Sequence, residues 1–233
     1  MLLWNKGLMY HQKNQKFASN QKLYNNKLNQ ISITGFQGET MSIKRPDFTP
    51  GSYYHIFNRG ANRQAIFKEK SNYIFVLQNL KKYSNALNVS VIAYCLMPNH
   101  YHLLVRQDGE NPTGLLPQRI FNSYTKAYNH SYSHTGTLFE GRFKIKQVLD
   151  DSHLVYVCKY IHLNPIKAGL VEKPEEWNFS NYREFLGPRQ ETLFDQKFFD
   201  EYFDNAEDYL AFVNEDAIDL KIPEGFKQYW GAL

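Results

Sequence analysis

Residues 89–106 read VSVIAYCLMPNHYHLLVR, and this stretch decides the fold. Two runs of apolar, branched and aromatic residues, 89–96 and 101–106, flank Met97-Pro98-Asn99-His100. That connection is short enough for a hairpin between antiparallel strands. Upstream, 53–58 reads as a further strand, closed by the turn-like Arg59-Gly60-Ala61-Asn62, and 71–84 has helical spacing in Ile74, Leu77, Leu80 and Tyr83. Downstream, 113–132 reads as a second helix with Pro117 in its first turn, where a missing amide costs little. Then 137–149 reads as a long strand interrupted at Gly141, the site of a bulge or bend. Asp151-Ser152 supplies an N-cap for a third helix reaching Leu163, which Pro165 should end or kink. The order βαββαβα predicts an α+β fold, a ferredoxin-like sandwich with a central antiparallel sheet and helices on one face.

The chain has 233 residues, 42% of them apolar, enough to bury a sizeable core. One main domain is expected at 41–186. Before it, 12–37 is crowded with Asn, Gln and Lys and has little apolar surface to offset the entropy of ordering, so 1–40 reads as an amide-rich, disordered extension. Met41 begins MSIKRPDFTPGSYYHIFNRG, which reads as a natural start and suggests a misassigned initiation site upstream. After 186, helical runs around 198–203 and 209–212 suggest a small acidic helical appendage at 187–233.

The net charge of +4 conceals an uneven distribution. Segments 1–40, 41–186 and 187–233 carry +4, +7 and −7, so a basic centre is joined to an acidic tail. A polyanion-binding domain shows this pattern, because phosphate contacts need Lys and Arg on the binding face. The aromatic content of 16% suits packing and also stacking on exposed bases. Cys95 and Cys158 lie far apart without metal-finger spacing and read as reduced thiols of a cytoplasmic protein. Neither a signal peptide nor a membrane span is expected.

Two constellations carry chemistry. His100 and His102 are two positions apart at the head of a predicted strand, so alternation puts both imidazoles on one face, where they can grip a divalent cation. An HxH pair also fits hydrogen-bonded structural histidines. On the third helix, Tyr156, Tyr160 and Asn164 follow at i, i+4 and i+8 and share a face. The Asn164 oxygen can complete a metal site that two histidines leave open, and the Tyr160 hydroxyl can attack a phosphorus bound at the same ion. A lone helical tyrosine equally fits ordinary core packing.

Several segments in one order give context: YHIFNRGANRQAIF at 54–67, AYCLMPNHYHLLV at 93–105, GTLFEGRFK at 136–144, YIHLNPIKAGLV at 160–171 and WNFSNY at 177–182. With them the sequence resembles the HUH-type single-tyrosine transposases, in particular the REP-associated tyrosine transposases of the IS200-like group. The resemblance implies a nuclease fold with the histidines on a central strand and the nucleophile on a helix beside it. His100 and His102 match the metal-binding pair, Tyr160 the nucleophile, and Asn164 the position of a polar third ligand. Tyr156 is the rival nucleophile. The Asn-rich start and acidic tail depart from the nearest patterns.

A phenol has a pKa near ~10 and needs help to attack at neutral pH. Mg²⁺ or Mn²⁺ held by His100, His102 and Asn164 would polarise the scissile phosphate, although imidazoles also accept Zn²⁺. Tyr160 would then carry the DNA 5′ phosphate, and a 3′ hydroxyl could reverse the step and join strands. The expected partner is single-stranded or hairpin-forming DNA, bound by a monomer or homodimer, with Arg59, Arg63, Arg142, Lys144 and Lys146 as candidates for backbone contact. Two other classes remain open. A metal-dependent nuclease using water would release free 5′ phosphate, and a domesticated, non-catalytic DNA-binding protein would need neither Tyr160 nor metal.

Overall fold

The computed structural model describes residues 46–187 and 193–214, and the expected extension at 1–40 lies outside them. The strands are β1 (Tyr53–Arg59), β2 (Val89–Met97), β3 (His100–Gln107) and β4 (Lys144–Val148). They form one antiparallel sheet in the order β2-β3-β1-β4. The helices are α1 (Lys70–Leu87), α2 (Leu115–Tyr132), α3 (Asp151–Lys167), α4 (Tyr182–Phe185), α5 (Gln196–Tyr202) and α6 (Ala206–Asn214).

The hairpin forms as the sequence predicts, with Met97 paired to His100 across Pro98-Asn99. Its register settles which side chains share a face, since successive residues of a strand point to opposite sides. Tyr54, Ile56, Tyr101, Leu103 and Val105 belong to a core with Val76, Leu80 and Leu87 of α1 and Leu116, Ile120, Phe121 and Tyr124 of α2. Tyr101 stacks on Phe121 with centroids 3.9 Å apart. Full burial of each such side chain contributes roughly 1.5–3 kcal/mol, so this face is a major source of hydrophobic stabilisation. At the start of α1, Asn72 Oδ1 accepts from the amides of Lys68 (2.9 Å) and Glu69 (3.3 Å), satisfying donors outside the helical ladder. Asn88 ends the helix in the left-handed conformation, φ 53°.

The opposite face carries His55, Phe57, His102 and Leu104, all buried. Here the third helix covers the sheet: the Tyr160 ring of α3 stands edge-on to His102 at 5.5 Å. Two helices therefore share one face as expected, and α3 adds a layer on the other.

Two local expectations are corrected. The strand expected at 137–149 is confined to Lys144–Val148. Upstream the chain makes an isolated bridge, Phe139 with Gly60, and turns at Gly136 (φ 91°) and Gly141 (φ 71°), conformations that interrupt a ladder. Helix α3 does not stop before Pro165 but runs through it to Lys167. The proline falls in the last turn, and the chain keeps bonding past it: Ala168 N donates to Asn164 O and Leu170 N to Pro165 O, each at 3.0 Å. Gly169, at φ 66°, then closes the helix.

Helix α3 is anchored by polar contacts on its buried side. Lys159, 2% exposed, donates to Phe212 O at 2.7 Å. His162 bonds through Nδ1 to the Tyr209 hydroxyl and through Nε2 to Asn181 Oδ1 at 2.9 Å. Asn181 in turn accepts from Tyr94 N (2.8 Å) and donates to Ile92 O (2.9 Å), tying α3 to β2. With both nitrogens engaged and water excluded, burial holds His162 neutral, its pKa pushed down to about 4. Among the described residues no helix is long and apolar enough to cross a membrane.

Candidate functional site

His100 and His102 are brought together by β3, with ring centroids 5.2 Å apart and planes at 86°. Each has Nδ1 engaged: that of His100 with Asn99 Oδ1 at 2.7 Å, that of His102 with His55 Nε2 at 3.0 Å. Nε2 is therefore the nitrogen through which each can ligate. Burial is the main cause that lowers the pKa of both, well below the usual value for His102, with Asn164 partly opposing it at His100. Neutral imidazoles are the ligating form.

Tyr160 and Asn164 of α3 lie beside this pair. The Asn164 side chain donates from Nδ2 to Tyr160 O at 3.0 Å, and it raises the pKa of His100 while lowering that of Tyr160. Tyr160 is 7% exposed, and its pKa is raised to about 12, by burial first, with Asn164 acting in the opposite sense. Tyr156 lies one turn earlier, half-buried. Two neutral imidazoles, with an amide and a phenol on the helix beside them, are donors of the kind that would hold a divalent cation.

The five predicted backbone-contact cations fall in different surroundings. Lys144 and Lys146 lie opposite Phe57 and His55 in the β1–β4 register, hence on the histidine face. Burial, followed by the charge of Lys144, lowers the pKa of Lys146 to about 8. Arg59 lies opposite His100 in the register and forms an ion pair with Glu140, with a 3.0 Å bond from its second nitrogen. With Asn62, Arg63, Phe139 and Glu140 it lines a cleft of about 680 Å³. Asn62 and Arg63 both adopt positive φ (52° and 58°), a backbone turn unusual for non-glycine residues. Arg142 is separated from the histidines: it lines a second cleft of about 520 Å³ with Tyr101, Phe121 and Phe143, on the α2 side.

Sequence reading missed two residues. Lys167 sits with Nζ 4.6 Å from the Tyr160 ring centroid, and its i+7 spacing from Tyr160 was the available signal. His55 contacts His102 from the neighbouring strand, and only the β1–β3 register reveals that.

A four-stranded antiparallel sheet thus carries a paired-histidine strand that faces a tyrosine-bearing helix. Residues 49–164 match the family model described as "Transposase IS200 like", and through this segment the chain belongs to that family. It is 27% identical over 158 residues to a protein of Haemophilus influenzae named as a REP-associated tyrosine transposase, covering 61% of this chain and 86% of that one. A solved structure of a REP-associated tyrosine transposase bound to a REP hairpin superposes with a TM-score of 0.50 at 18% identity, covering 62% of this chain and 84% of that one. At that identity the likeness establishes the fold.

Proposed function

We propose that this chain is a single-strand DNA endonuclease and strand transferase that uses Tyr160 as nucleophile and acts on single-stranded DNA flanking a hairpin. The observation that carries the reading is the Tyr160 ring standing edge-on to His102 at 5.5 Å, which sets the phenol of the helix against the paired-histidine strand. Family membership and the hairpin bound by the structural neighbour support DNA as the partner.

His100, His102 and Asn164 would hold the cation, Mg²⁺ or Mn²⁺, which when bound supplies positive charge at the scissile phosphate. Tyr160, kept protonated by burial, gives up its proton as its oxygen bonds to phosphorus. The bond from phosphorus to the 3′ oxygen breaks, and that oxygen takes up a proton to leave as a hydroxyl. The 5′ phosphate stays on Tyr160 as an ester, so attack by a 3′ hydroxyl reverses the exchange and joins strands. Lys144 and Lys146 on the histidine face, and Arg59 and Arg63 in the neighbouring cleft, supply cations for the backbone.

The test is incubation with a panel of hairpin-bearing single strands and Mg²⁺ or Mn²⁺. A covalent protein–DNA adduct that Tyr160→Phe abolishes and Tyr156→Phe spares is the expected result. Free 5′ phosphate without an adduct would indicate water as the nucleophile, and binding without cleavage would indicate a non-catalytic DNA-binding protein.

A further inference from the structure

His55 lies outside the HxH motif, on the neighbouring strand. In the β1–β3 register Phe57 stands opposite His102 and His55 opposite Leu104. His55 is therefore the diagonal neighbour of His102 on one face of the sheet, close enough for long or aromatic side chains to meet. The two rings are nearly parallel, 11° apart with centroids at 5.2 Å, and His55 Nε2 lies 3.0 Å from His102 Nδ1. Phe57 stacks against both, at 4.8 Å from His55 and 5.9 Å from His102, closing the pair into an aromatic layer. Both histidines are buried, at 4% and 0% exposure. The charged and titratable groups acting on the pair are basic: Lys146 and His153 on His55, His100 and Lys167 on His102. Ring nitrogens 3.0 Å apart hold one proton between them, because two N–H groups or two lone pairs facing each other would repel.

A neutral pair can share that proton in two ways. Either His102 donates from Nδ1 and keeps Nε2 bare, or His55 donates from Nε2 and His102 carries its own proton on Nε2. Only the first leaves His102 able to ligate through Nε2. We infer that His55 is the positioning residue of the site: its Nε2 accepts the Nδ1 proton of His102, fixing the ring orientation and the tautomer that presents a bare Nε2 to a divalent cation. The inference rests on the reading that His100 and His102 hold such a cation. His100 has the equivalent partner in the residue before it, the Asn99 side-chain oxygen at 2.7 Å. The two ligating histidines are thus oriented by an amide from the hairpin turn and an imidazole from the next strand.

The test uses the full chain without DNA, with Mn²⁺ as the probe in calorimetric titration and ¹⁵N resonances of His102 as a second readout. His55→Leu keeps bulk but cannot accept a proton, and it should weaken Mn²⁺ binding by roughly 10–100-fold. His55→Gln offers an amide oxygen in its place and should bind within about threefold of the natural chain, the scale of an outer partner largely restored. In the natural chain and in His55→Gln, His102 should carry its proton on Nδ1; in His55→Leu the two tautomers should mix. Mn²⁺ affinity unchanged in His55→Leu, or equally weak in both variants, would overturn the inference. So would a proton on Nε2 of His102 in the natural chain, a measurement that holds even if His55→Leu does not fold. Failure of the natural chain to bind Mn²⁺ at all would instead remove the metal reading, with the His102 tautomer still deciding what His55 does.

Discussion

The two faces of the sheet come from the same strands and differ in what they ask of their residues. On the α1/α2 face, Tyr101, Leu103 and Val105 alternate with His100, His102 and Leu104 along β3, and the odd positions are packed against apolar side chains. On the α3 face, His102 is as deeply buried, yet it is surrounded by His55, Tyr160 and nearby lysine charge. The first face gains stability from every buried methylene. The second buries Phe57 and Leu104 but also excludes water from polar groups, which themselves gain little or lose some, because desolvated imidazoles keep only their hydrogen bonds. A one-residue slip of β3 would exchange the faces, so the hydrophobic side also holds the register that keeps the histidines under Tyr160.

The largest expected effect is chemical and confined to the α3 face. Tyr160→Phe removes a single oxygen and should lower adduct formation by more than about 1,000-fold. DNA binding by the same variant, followed by fluorescence anisotropy, should stay nearly intact. Cleavage by Tyr160→Phe combined with none by Tyr156→Phe would transfer the nucleophile to Tyr156. Replacing either ligand comes next: His100→Ala and His102→Ala should each remove divalent-ion binding and cleavage together, with Asn164→Ala less severe. Metal-free DNA affinity should barely change in the three, since the candidate backbone cations sit on β1, β4 and the adjoining turns. Normal cleavage by His102→Ala in Mg²⁺ would defeat the two-histidine site.

On the opposite face the expected effect is on stability alone. Leu103→Ala leaves a cavity in the α1/α2 core and should cost about 2–5 kcal/mol in urea unfolding. A smaller loss would mean that this face is loosely packed and that the contrast is overstated.

A pH effect separates the faces further. Burial lowers the folded pKa of His162 to about 4 and of His55 to about 3, while the unfolded residues titrate near the usual value of 6.5. The stabilisation is therefore fully present above about 6.5 and is lost as pH falls through that value toward 4 and 3, where the unfolded chain binds more protons. Each histidine contributes a slope of up to ~1.4 kcal/mol per pH unit in that window. Thermal midpoints between pH 7 and 4.5 should fall less steeply for His162→Gln than for the natural chain, and parallel curves would show that His162 is not held neutral. The smallest effect is expected for the double change His55→Leu with His102→Leu. Removing both partners of a buried polar bond together should alter stability by less than about 1 kcal/mol, in either direction. A large loss would mean that the α3 face, too, depends on its polar pair for folding.

Much of this was legible in the order of residues. The alternation in 100–106 and the brevity of Pro98-Asn99 specify a hairpin with both motif histidines on one side, because strand geometry is a local property with period two. The i, i+4 spacing of Tyr160 and Asn164 likewise puts phenol and amide on one helical face. Local pattern failed where longer-range terms intervened. Strand character at 137–143 yielded to turns at Gly136 and Gly141. Pro165 did not end α3, because it falls in the last turn, where few bonds remain to be lost, and the surrounding residues Ile161–Pro165 are all buried against the body of the chain. The strand order β2-β3-β1-β4 could not be read locally either, and with it came the contact of His55 with His102. Residues 55 and 102 are 47 positions apart, and nothing in either segment names the other. Their meeting depends on the register between β1 and β3, which the packing of Tyr54, Ile56, Tyr101 and Leu103 on the far side of the same strands decides.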